Sequence, residues 1–168
     1  MRKQKPDWLV RNFTLGVEDS LVSTVGLLSG VAVAGVDRPT VILTGLVLIF
    51  VEAFSMGIGS LLTEHAVTAR KKNHEVPLAS SFSGGLAMFL SYFGAGFVPL
   101  TPYAFFPVNS ALVVSAVLSL TVLFGLGVVN GRGRWRKRVT HHGLETLLLG
   151  GGAILVGVMV GKLVNMGG

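Results

Sequence analysis

Apolar residues fill five long stretches of the chain, separated by short breaks that carry charge or proline. The stretches cover residues 15–36, 40–66, 78–100, 104–130 and 140–164. Each is long enough to supply the ~20 residues that a helix needs to cross ~30 Å of hydrocarbon. Asp37, Arg38 and Pro39 join charge to a helix breaker. Pro99, Pro102 and Pro107 predict a tight turn between the third and fourth helices, with Tyr103, Phe105 and Phe106 suited to a membrane interface. The pattern predicts an all-α, polytopic membrane protein. Its five transmembrane helices form one domain over residues 1–168, with no separate soluble domain.

Composition supports this. Of 168 residues, 51% are hydrophobic and 13% charged, against roughly 25% charged in a soluble domain. The absence of cysteine excludes disulfides and thiolate metal sites. The net charge of +6 is explained by its distribution. Residues 1–14 carry four Lys and Arg, the second-to-third connection three and the fourth-to-fifth connection five, while the alternate side has Arg38 and Lys162. Twelve against two places the amino terminus in the cytoplasm and the carboxyl terminus outside. Nucleic-acid binding is not expected, because no folded surface remains to carry it. A basic start followed by an apolar run superficially fits a signal peptide, but Glu18 and Asp19 interrupt that run, so the first helix is expected to be retained. With no targeting extension, the chain suits a prokaryotic cell membrane.

Acids within apolar runs demand an explanation, since each costs about 2.5–3.5 kcal/mol on insertion scales. Glu18 and Asp19 fall in the first turns of the first predicted helix, where capping of the helix dipole competes with a functional role. Asp19, Ser23, Gly26 and Gly30 share one helical face, a polar and narrow stripe able to line a path. Glu52 sits near the middle of the second run, with no Lys or Arg at that depth to pair with it. It is therefore protonated, or it faces water or a cation. Met56 lies one turn away and adds a soft thioether, which suits a transition ion better than calcium or magnesium. Glu64, His65, His74 and Glu75 bracket the basic Arg70, Lys71 and Lys72, either as an entry site for cations or as ordinary solvated residues. The small-xxx-small pairs Gly26/Gly30 and Gly157/Gly161 allow close helix packing or dimerisation. No serine–histidine–acid set, phosphate loop or zincin pattern is present, so an enzyme is not expected.

The run from Glu18 through Ser23, Gly26 and Gly30 resembles the first-helix motif of the vacuolar iron transporter family. Glu52-Ala53-Phe54-Ser55-Met56-Gly57-Ile58-Gly59 is similar to that family's second-helix motif, Glu-Ala-Leu-Ser-Met-Ala-Ala-Gly. The segment from Phe97 to Tyr103 looks like the family's link between helices three and four. The resemblance implies a homodimer that exports ferrous iron, or manganese, from the cytoplasm in exchange for protons, along a path at helix one. It maps the pore acid and methionine onto Asp19 and Met56, with Glu52 as the helix-two carboxylate. Two departures stand out. About a dozen residues, 66–77, replace the glutamate-rich cytoplasmic metal-binding domain of many members. Ser60 stands where the motif usually has glutamate, with Glu64 one turn further on.

The expectation is thus a divalent-metal transporter with Asp19, Glu52 and Met56 as a transient site and Glu18 and Glu64 attracting cations. Its partners are lipid, divalent metal ions, protons and a second copy, and the metal is cargo rather than a cofactor. The alternatives are a membrane assembly protein whose acids support packing, and a transporter of another small cation.

Overall fold

A computed structural model describes residues 7–72, 77–130 and 136–167. Five helices in it are long and apolar enough to cross a membrane, and no strand occurs among the described residues. They are α1 (Asp7–Val33), α2 (Arg38–Lys72), α3 (Phe82–Phe105, entered through a short 3-10 turn at Leu78–Ser81), α4 (Val108–Asn130) and α5 (Arg136–Gly167). We call the end of the bundle where α1 begins its lower end. The expected His74 and Glu75 lie outside the described residues.

The upper corner between α1 and α2 follows from its residues. Gly35 adopts the left-handed region, with φ +83°, which a side chain would resist. Asp37 then starts α2: its carbonyl accepts the Val41 amide at 3.1 Å and its carboxylate accepts the Thr40 hydroxyl. Pro39 falls in the first turn, where no amide is needed.

Two helix limits differ from the hydropathy pattern, and both changes matter. α1 begins eight residues before the apolar run, because its polar lower turns find tertiary partners. Asn12, only 3% exposed, donates to the Gly84 carbonyl at 3.3 Å, and Arg11 pairs with Glu64 of α2. Glu18 and Asp19 therefore sit eleven and twelve residues into the helix, not in its first turns. The helix dipole, which acts within about the first turn, does not explain them. α2 likewise continues past residue 66 to Lys72, giving 35 residues and roughly 52 Å.

The expected turn at Pro99 and Pro102 is instead helix. α3 runs through both prolines and breaks at Phe106, whose φ −117° and ψ 155° are extended. Each proline deprives a carbonyl one turn below of its amide donor. Neighbouring groups reinforce the weakened stretch. Thr101 donates to the Phe97 carbonyl at 2.5 Å, Ser115 of α4 to Pro99 at 2.7 Å, and the Phe106 amide to Pro102 at 2.9 Å. Arg38 crowns the end, donating from Nε to the Tyr103 carbonyl at 2.6 Å and from Nη2 to that of Ala104.

α1 is the central helix and packs on all four others. In lipid, helices gain little from hydrophobic burial against each other, so close backbone approach carries the association. The two small-xxx-small pairs provide it by meeting one another. A Cβ on Gly157 would fall 2.0 Å from the Gly26 carbonyl oxygen, and one on Gly161 would fall 2.1 Å from that of Gly30. These glycines are thus occupied by packing of α1 on α5 within one chain. Leu28, Ala32, Val41, Ile49, Leu100, Tyr103 and Ala111 fill the core at the upper end.

Candidate functional site

Asp19 lies fourteen residues below the top of α1, and Glu52 lies fourteen residues below the top of α2. At 1.5 Å per residue both carboxyls are about 21 Å down, level with each other near the bundle's middle. They stand near each other and near the Tyr92 hydroxyl of α3. Neither has an ion-pair partner among the described residues.

Tyr92 is fully buried. Its hydroxyl and that of Ser23 share a hydrogen bond of 2.7 Å. Ser23 also lies 3.4 Å from the Ser20 carbonyl, to which it donates. Ser20 in turn donates to the Tyr92 carbonyl at 2.7 Å. These bonds fix α1 against α3 beside the two acids. Gly96 permits the approach, since a Cβ there would come 2.7 Å from Ile49 and 3.0 Å from the Ser20 hydroxyl. Tyr92→Phe should lower stability by about 1 kcal/mol, the usual worth of such a bond, read as a reduced unfolding midpoint.

Two open grooves flank this level. The upper one, about 670 Å³, runs between α1 and α5 from Asp19 and Ser23 past Gly26 and Gly30. The predicted stripe on α1 therefore does line a space, and Asp19 is its lowest residue on that helix. The lower groove, about 410 Å³, lies between α1 and α2 and is lined by Met56, Ser60, Thr63, Glu64, Arg11 and Met88 among others. Glu52 is half-buried one turn above Met56 and lines neither groove.

The expected site residues thus separate. Asp19 and Glu52 come together, and Met56 and Glu64 share the groove below. Glu64 is not free, because Arg11 holds its carboxylate. Glu18 is half-buried but turned about 100° from Asp19 around α1, and it lines neither groove. Among the described residues no three His, Cys, Asp or Glu side chains converge as a metal-holding group. Sequence reasoning missed Tyr92, Met88 and Arg11. Tyr92 had a usable signal, a tyrosine far from either membrane interface; Met88 had none, as methionine is ordinary apolar filler.

Comparison with known proteins identifies the family. A family model described as the VIT family matches residues 10–76 and 61–162, together nearly the whole chain. The vacuolar iron transporter homolog 4 of Arabidopsis thaliana is 32% identical over 143 residues, covering 77% of this chain and 72% of the relative. Homolog 1 of the same plant is 32% identical, covering 77% and 71%. With its motif-bearing first two helices inside the matched region, the chain belongs to the VIT family.

Proposed function

We propose that the protein transports divalent transition metal ions, ferrous iron or manganese, out of the cytoplasm in exchange for protons. The carrying observation is the pair of level, mid-bundle carboxylates, Asp19 and Glu52, without basic partners among the described residues, with Asp19 at the foot of the upper groove. The family and its iron-transporter relatives support a metal-transport role. The twelve-to-two distribution of Lys and Arg makes the lower end cytoplasmic. Metal then enters by the lower groove past Glu64 and Met56, is held at Asp19 and Glu52, and leaves by the upper groove. A carboxylate that holds either a proton or a cation couples the two fluxes. Both grooves are open along the length of α1, and a second copy facing that helix would close them, so we place the working form as a homodimer.

Proteoliposomes with an imposed pH gradient test this. Ferrous iron or manganese should accumulate against its own gradient, and collapsing the pH gradient should stop it. Uptake of neither metal, or uptake indifferent to the pH gradient, would overturn the proposal. Preferential uptake of an organic cation would favour the alternative cargo.

A further inference from the structure

Near its lower end, the two walls of the lower groove are joined by an ion pair. Arg11 stands on the α1 wall and Glu64 on the α2 wall, and both line the space. The bond between them therefore runs from wall to wall. Glu64 lies twelve residues below Glu52, about 18 Å further down α2, and Arg11 lies four residues from the start of α1. The pair thus crosses the mouth of the groove, below Ser60 and Met56.

Its two members are not equally fixed. The Glu64 side chain is 17% exposed, and its Cγ lies 3.1 Å from where a Cβ on Gly84 would stand. The Arg11 side chain is 65% exposed. α1 is anchored beside it, since buried Asn12 donates to the Gly84 carbonyl. Arg11 can therefore swing into water while the helix stays in place. So exposed an ion pair is worth little more than thermal energy. That is a poor brace between two helices, but it suits a barrier that opens and shuts freely. We propose that Arg11 gates the lower groove, closed while its guanidinium bridges to Glu64 and open when it swings away. This rests on the transport reading above. Closed, the gate sets a positive charge across the path of an entering cation. Open, it leaves the Glu64 carboxylate facing that path.

Access can be measured directly, because the chain contains no cysteine. Ser60→Cys in the full-length protein puts a single thiol in the groove, one turn above Glu64. In nanodiscs it is labelled with a bulky uncharged maleimide and, separately, with N-ethylmaleimide. The ratio of the two rates reports passage through the mouth rather than thiol reactivity. On this background Arg11→Gln should raise the ratio about two- to fivefold, the range that an exposed ion pair supports. Salt at about 1 M, where the screening length is ~3 Å, should raise it with Arg11 present but not after Arg11→Gln. Arg11→Glu should also raise it, and adding Glu64→Arg should restore the starting value. A ratio unmoved by Arg11→Gln, an equal response to salt with and without Arg11, or no recovery in the charge-swapped pair overturns the gate. Labelling requires no metal, so failure of the transport reading is seen separately, as no gradient-driven uptake by the unsubstituted protein.

Discussion

Gly157→Leu should prevent α5 from docking on α1, and even Gly157→Ala should cost about 1–3 kcal/mol. The reason is that the opposing atoms are backbone. A Cβ on Gly157 meets the Gly26 carbonyl oxygen at 2.0 Å and the Gly30 nitrogen at 3.3 Å, and no side-chain rotation relieves either. The two helices would have to separate, opening the small-residue seam along its length. Gly151 provides the control, since nothing lies within 4 Å of its added Cβ. There alanine should gain about 0.5–1 kcal/mol, because glycine is the poorer helix former. Unfolding in detergent, followed by temperature or by a denaturing surfactant, compares the two. Equal shifts at positions 157 and 151 would contradict the α1–α5 contact.

Asp19→Asn and Glu52→Gln should each reduce metal uptake to background, and the double variant should be no worse than either single one. The two carboxyls lie level and near each other, so removing one disables the unit, and effects within a unit do not add. Stability should move the other way. Each neutralisation removes an acid that costs about 2.5–3.5 kcal/mol to insert, and no ion pair among the described residues is broken. Loss of transport with intact or raised stability therefore supports cation handling. Loss of folding or assembly, with no metal bound by the parent protein, would identify the acids as packing elements instead.

Much of the architecture was legible because lipid imposes strong rules on sequence. A spanning helix must be long and apolar, which located all five helices. Boundaries were less legible where tertiary partners, rather than hydropathy, decide them. Arg11 and Asn12 look like part of a polar tail until Glu64 and the Gly84 carbonyl accept them, and this carries α1 down to Asp7. Pro99 and Pro102 read as a turn because local propensity knows nothing of Ser115 and Arg38, which reinforce the helix from outside it. Asp19 and Glu52 stood out because an acid in an apolar run is costly wherever it packs. Met88 was not legible, since it stands beside Gly16, seventy-two positions earlier on another helix, and Tyr92 offered only its unusual depth, not its partners Ser20 and Ser23. The glycine pairs were visible as motifs, but their partner was not: each of the two turned out to be the other's.

That pairing has a consequence for biosynthesis. α1 is made first, yet its glycine face is complementary to a helix that begins at Arg136. About a hundred residues separate the end of one from the start of the other, roughly 5–20 s of synthesis at ordinary rates. Throughout that interval the narrow face of α1, with Asp19 at its foot, has only lipid or transient helpers against it. The bundle is closed by its final helix rather than assembled in order, so a chain released early would strand an acid in the bilayer and present a ready target for quality control.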